Sequence, residues 1–173
     1  TVPVTGKVDD SSATVTVQGR SATVTSDGTF TSLLTPPEGP LTILATATNA
    51  GGLSSQDSRN ILIDRTPPRI TLTSPLPPET TNPRLDLAGQ VSDVTATQLW
   101  VQGIPTALTG TSNADKRFTT TVDLALGNND LTLKAVDAAG NIGTLVIHVT
   151  RNGGDSQAPI IHVDPPLPSS TQD

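Results

Sequence analysis

The sequence has no cysteine, no methionine and no tyrosine, and one tryptophan and two phenylalanines are its only aromatic residues. Without cysteine there are no disulfides and no thiolate metal sites. Trp100, Phe30 and Phe118 are too few for a sugar-binding platform of several rings. The net charge is −6 and no basic patch occurs, which argues against nucleic-acid binding. No apolar run reaches 18 residues, so no membrane-inserting helix is expected. The two histidines, His148 and His162, have no second ligand at metal spacing, so no zinc site is expected. No Gly-x-Ser-x-Gly elbow occurs and no Asp/Glu pair is marked as an acid/base couple. The chain is therefore expected to have no catalytic residues and to be no enzyme. Thr1 opens no signal-peptide pattern, as in a mature or excised fragment, and no Asn-x-Ser/Thr sequon is present.

What is abundant points to strands. Thr and Ser make up roughly a quarter of the residues, far above ordinary usage. Thr and Val favour strands, the helix formers Glu and Lys are scarce, and no segment shows sustained 3.6-residue apolar periodicity.

The chain also repeats itself. Thr5-Gly6-Lys7-Val8 matches Ala88-Gly89-Gln90-Val91, and Val17-Gln18-Gly19 matches Val101-Gln102-Gly103. Phe30-Thr31 matches Phe118-Thr119, and residues 39–52 run alongside 127–140. A third partial copy begins at Asp155: Asp64-Arg65-Thr66-Pro67-Pro68-Arg69-Ile70 parallels Asp155-Ser156-Gln157-Ala158-Pro159-Ile160-Ile161, and residues 71–77 parallel 162–168. In the second copy, strands are expected over 70–74, 85–91, 97–102, 104–108, 117–124, 130–136 and 144–150, separated by turn residues. About seven short strands at this spacing fit a two-sheet sandwich. Leu131, Leu133 and Ala135 alternate with Thr132 and Lys134, and Ile43, Ala45 and Ala47 repeat that inward pattern.

Gly6-Lys7-Val8, Val15-Thr16-Val17-Gln18-Gly19, Asp27-Gly28-Thr29-Phe30, Asp137-Ala138-Ala139-Gly140-Asn141 and Asp64-Arg65-Thr66-Pro67-Pro68 together resemble the bacterial immunoglobulin-like repeats of large surface adhesins. They are similar also to the immunoglobulin-like accessory domain of glucodextranase-type enzymes. The resemblance covers nearly the whole chain and is carried by turns and linkers. It implies an all-β fold and brings no catalytic residues, because function lives in sites and not in folds.

The expected architecture is two tandem immunoglobulin-like β-sandwiches, the first lacking its opening strand, plus a C-terminal strand-like tail. The boundaries are 1–66, 67–157 and 158–173. Residues 1–4 align with about 84–87, inside the second strand of the module, so the first copy has no opening strand of its own. One reading is a chain cut from a longer array without regard to module borders. Another is donor-strand complementation, in which the tail of one copy fills the vacant place in the next. Ile160, Ile161 and Val163 are then the apolar plugs, with Leu167 at the end of the groove, and copies join head to tail into a fibre.

Trp100 alternates with Leu99 and Val101, which match Val15 and Val17 as inward positions, so Trp100 is expected to face outward at an interface. Asp9 with Asp10, Asp64, Asp93, Asp137 with Asn141, and Asp155 are the acidic positions open to calcium, best placed at the junction around Asp64 and Asp155. The competing reading is that Asp and Asn simply suit tight turns. Of the three lysines, Lys134 is expected to face out, which leaves little room for an internal isopeptide. The function expected is that of an extracellular structural module of a prokaryotic surface fibre or adhesin-like array. Its partners are copies of itself, and any surface or glycan ligand is unspecified. The alternative is a pair of non-catalytic accessory domains of a secreted glycan-active enzyme.

Overall fold

The turn residues set the hairpins. Gln18 and Gln102 both adopt φ 51°, and Gly19 and Gly103 follow at φ 72° and 77°. Two consecutive positive φ values give a tight hairpin whose twist matches that of the flanking strands. Each Gln amide then pins the turn to the neighbouring strand. Gln18 Nε2 donates to Thr42 O at 2.9 Å, and Gln102 Nε2 donates to Asp130 O at 3.3 Å. Gln102 Oε1 in turn accepts from Thr132 N at 2.7 Å.

The computed structural model describes residues 1–154 and 160–162, and the chain is all-β. Strands β1 (Val2–Lys7), β2 (Thr14–Val17), β3 (Arg20–Val24), β4 (Thr29–Leu34), β5 (Gly39–Thr48) and β6 (Ser54–Ile63) form one sheet in the order β1-β4-β3-β2-β5-β6. β3 pairs with both β2 and β4, so this sheet is continuous around one side. The remaining strands are β7 (Arg69–Leu72), β8 (Glu79–Thr80), β9 (Arg84–Ser92), β10 (Thr97–Val101), β11 (Ile104–Thr106), β12 (Lys116–Asp123), β13 (Gly127–Asp137) and β14 (Ile142–Arg151). They make two sheets, β12-β9-β7 and β11-β10-β13-β14-β8. One 3-10 turn, Asn113–Asp115, interrupts the strands.

The expected strands of the second copy recur with ends shifted by at most three residues. The pair Glu79–Thr80 and the 3-10 turn had no signal in the sequence. Glu79–Thr80 exists because the segment after β7 crosses to the other sheet, where Thr150 N donates to Pro78 O at 2.9 Å.

Two separate hydrophobic cores form. The larger gathers Ile70, Leu85, Leu87, Leu99, Phe118, Leu131, Leu133, Ala135 and Val149, among others. The smaller has Val15, Val17, Phe30 and Leu34 as its buried members. Ile43, Ala45 and Ala47 pack against it but are only partly buried, whereas their counterparts Leu131, Leu133 and Ala135 are 2%, 0% and 0% exposed.

Candidate functional site

The corresponding strands of the two modules pair alike. Gly6 lies opposite Phe30 in the β1–β4 pair, as Gly89 lies opposite Phe118 in the β9–β12 pair. A Cβ on Gly6 would collide with the Phe30 ring, and one on Gly89 with the Phe118 ring and the carbonyl of Thr71. In both modules glycine lets a phenylalanine ring lie flat across the strand. In the second module it also lets β7 close in.

Among the described residues, the first module has no counterpart of β7 or β8. Among the described residues, no strand pairs with the outer edge of β1 or of β6, the two ends of its sheet. Between these edges runs a cleft of about 550 Å3, lined by Val4, Gly6, Val8 and Phe30 from the β1–β4 side and by Ile43 and Ala45 of β5 with Ser55, Asp57 and Arg59 of β6 beside them. Such edges leave rows of backbone N–H and C=O groups able to pair with another strand.

One wall of the cleft is polar. The hairpin registers align β6 with β14, so Ser55, Asp57 and Arg59 take the places of Gly143, Leu145 and Ile147. Arg59 Nη1 lies 3.4 Å from Asp57 Oδ1, and both side chains are exposed. Gly143 is needed in the second module because a Cβ there would collide with the carbonyl of Pro68. Ser55 carries that Cβ. Sequence reading missed this wall; its signal lay in the alignment of 54–60 with 142–148.

The junction between the modules is a second built feature. On the first-module side, Glu38 Oε1 accepts from Thr66 Oγ1 at 2.6 Å and from Arg65 N at 3.4 Å, and Arg65 Nη2 donates to Pro36 O at 3.1 Å. The Thr66 hydroxyl and Arg65 N–H hold the Glu38 carboxyl below the usual carboxylate range. On the other side, Asp64 Oδ2 accepts from Thr95 Oγ1 at 3.0 Å, and Asp64 O accepts from Asn141 Nδ2 at 3.3 Å.

Three buried carboxylates meet there. Asp64, Asp93 and Asp137 are 8%, 8% and 6% exposed, and each offers an oxygen within 4.8 Å of the others. Asp93 Oδ1 accepts from Thr95 N at 2.7 Å and Thr95 Oγ1 at 2.9 Å. Asp137 accepts from Asn141 N and Nδ2, both at 2.8 Å. Burial pushes the Asp137 carboxyl up, but these bonds and the N–H groups of Ala139 and Gly140 outweigh it, leaving it below the usual range. Oxygen-only donors of this kind suit a hard cation such as Ca2+. The three come from positions far apart in sequence.

Asp64 thus sits at the junction with Asp93 and Asp137, while Asp155 lies outside the described residues. Ile160 and Ile161 are 95% and 82% exposed, and Val163 and Leu167 lie outside the described residues. Leu99 and Val101 are buried and Trp100 between them is half-buried. Trp100 faces Pro105 and Lys134 across its two neighbouring strands and lines a second cleft with Leu108 and Lys116.

Among solved structures, the fibronectin(III)-like modules of Clostridium thermocellum CbhA are similar at 12% identity and a TM-score of 0.48, covering 94% of this chain and 90% of that one. The cadherin domains 1–4 of protocadherin gamma B7 show 17% identity and a TM-score of 0.34, covering 80% and 40% of the respective chains. The human desmocollin-1 ectodomain shows 11% identity and a TM-score of 0.30, covering 85% and 31%. The chain thus spans less than half the length of these two cadherin-type chains, and at such identities the likeness concerns the fold alone. No curated protein matches. Residues 1–65 match the model of the family described as glucodextranase, domain B, in agreement with the immunoglobulin-like resemblance read from the turns and linkers.

Proposed function

We propose that this chain is a non-catalytic, extracellular structural element of a prokaryotic surface array, whose first module accepts an extended strand from a second copy. The observation that carries the reading is the open cleft between β1 and β6, beside a second module in which residues 69–80 fill the same place.

The repeat supplies the occupant. Residues 158–173 match 67–82 at a constant spacing of 91. By that match Ile161 takes the place of Ile70, Val163 that of Leu72 and Leu167 that of Leu76. In the second module Ile70 is in the core, and Leu72 and Leu76 pack against it. Ile160 corresponds to the exposed Arg69, so its side chain would lie on the outside of the added strand. Antiparallel pairing as in β7–β9 would set Ile161 opposite Val8 and Val163 opposite Gly6. Each copy then offers a cleft at one end and a strand at the other, and repetition of such a contact extends without closing. The polar wall of Ser55, Asp57 and Arg59 would let the cleft stand open in water before it is filled. In this reading Asp64, Asp93 and Asp137 are also where a calcium ion would brace the joint, and a second-module unfolding midpoint unmoved by added Ca2+ would rule that out.

The test is deletion of residues 158–173, followed by sedimentation and electron microscopy. The intact chain is expected to form filaments, and the truncated one to stay monomeric. A synthetic 158–173 peptide is expected to raise the unfolding midpoint of the truncated chain. An intact chain that stays monomeric at high concentration, with no stabilisation by the peptide, would sink the reading. The family match over residues 1–65 favours a second reading: accessory modules of a secreted glycan-active enzyme.

A further inference from the structure

The end of the first module carries a near-copy of the seat that Asp64 occupies on the second. At the second module, Asp93 Oδ1 accepts from Thr95 N and Oγ1, and the Thr95 hydroxyl also reaches Asp64 Oδ2. Eighty-three residues earlier in the sequence, Asp10 Oδ1 accepts from Ser12 N at 2.9 Å and Ser12 Oγ at 2.6 Å. The facing turns also correspond. Asp137 Oδ1 accepts from Asn141 N at 2.8 Å, and Asn49 Oδ1 accepts from Leu53 N at 3.0 Å. With Oδ1 committed to that bond, Asn49 places its Nδ2 where Asp137 has Oδ2. A carboxylate in the second module is thus replaced by an amide donor in the first. Asn49 and Ser12 are both exposed.

We propose that Asp10, Ser12 and Asn49 form the seat for Asp155 of a second copy, paired by hydrogen bonds and needing no cation. The proposal rests on the strand-accepting reading of the cleft and adds what fixes the incoming chain's register. Asp155 precedes the 158–173 segment as Asp64 precedes 67–82. A strand entering the cleft in the β7 register would bring Asp155 to the Asp10 turn. Its carboxylate would accept from Asn49 Nδ2 and would compete with Asp10 for the single Ser12 Oγ proton, as Asp64 and Asp93 share that of Thr95, while Asp10 keeps the Ser12 N–H. A hydrogen bond to a charged group is stronger than a neutral one. With an aspartate at position 49 the same approach would set three carboxylates together, as at the internal junction, and repulsion would then need an ion to offset it.

The full chain carrying Ile161→Asp and Val163→Asp has its own tail disabled and its cleft free. Binding of two synthetic peptides, residues 155–173 and 158–173, is measured by fluorescence anisotropy in EDTA. The longer peptide is expected to bind about tenfold tighter, the factor that about 1.4 kcal/mol supplies. Asp155→Ala in the peptide, or Ser12→Ala in the acceptor, is expected to remove most of that advantage. Asn49→Asp is expected to weaken the longer peptide about tenfold and leave the shorter one unchanged, since it turns a donor into a like charge. Equal affinities of the two peptides would overturn the seat while leaving the cleft reading standing. An advantage seen only with calcium would overturn the cation-free pairing. If neither peptide binds, the cleft reading fails and the seat with it.

Discussion

In the second module β14 turns Gly143, Leu145, Ile147 and Val149 toward the core. In the first, β6 presents Ser55, Asp57, Arg59 and Ile61 at the same register positions. The hairpins, the Gln-Gly turns and the glycine–phenylalanine pairs are shared, so this wall and, among the described residues, the lack of a covering strand are what separate the two. A sandwich that keeps its covering strand can make both walls apolar. A sandwich without one would expose that surface to water, at about 25 cal/mol for each Å2 of apolar area. The first module has a smaller core and a charged wall instead.

Several measurements would break or sharpen that contrast. Leu131→Ala should cost about 3 kcal/mol, since it empties a packed site. Ile43→Ala, at the half-buried counterpart, should cost about 1 kcal/mol. Urea unfolding read by hydrogen exchange in each module checks this; equal costs would mean that the first core is as closed as the second. Next in size is Gly89→Ala, expected to destabilise by about 2 kcal/mol because its Cβ meets the backbone carbonyl of Thr71 as well as the Phe118 ring. Gly6→Ala meets only the Phe30 side chain, which can swing, and should cost less until a strand fills the cleft.

Ser55→Gly combined with Asp57→Leu and Arg59→Ile rebuilds the wall of the second module. It should tighten binding of the 158–173 peptide about tenfold and lower the solubility of the unfilled chain. Titration shows no tightening if Ser55 does not in fact crowd the carbonyl of Pro159.

The smallest effect expected is that of pH on the junction. Glu38 and Asp137 are both depressed in the folded chain, so the unfolded chain binds more protons as pH falls. Their contribution is therefore fully present above the ordinary carboxylate range and is lost as pH drops through their folded values. Acid unfolding of the wild type against Asp137→Asn checks the sign: the variant should show a shallower loss. For Glu38→Gln the readout is faster exchange of the Arg65 and Thr66 amides.

Much of the local architecture was legible because turn chemistry is local. Gln18-Gly19 and Gln102-Gly103 announce hairpins by residue type, and Asp137 through Asn141 announces a turn. Alternation told Leu99 and Val101 from Trp100. The pair Glu79–Thr80 was not legible, since two residues among prolines carry no period. Nor was the polar wall. Ser55, Asp57 and Arg59 taken alone look like an exposed edge, and only pairing against β5 turns them toward the cleft. The acidic junction is half legible: Asp64, Asp93 and Asp137 each stand out as turn residues, but nothing local shows that they meet, and Asp155, expected beside Asp64, lies outside the described residues.

By itself, then, the sequence determined the repeat, the strand-rich class, the turns and the inward positions of the second module, because these follow from periods and residue types a few positions apart. Tertiary structure alone decided that three aspartates meet, that charged side chains line one part of the first module's cleft and that this cleft lies between β1 and β6. Those depend on which distant strands become neighbours, and no local pattern carries that information.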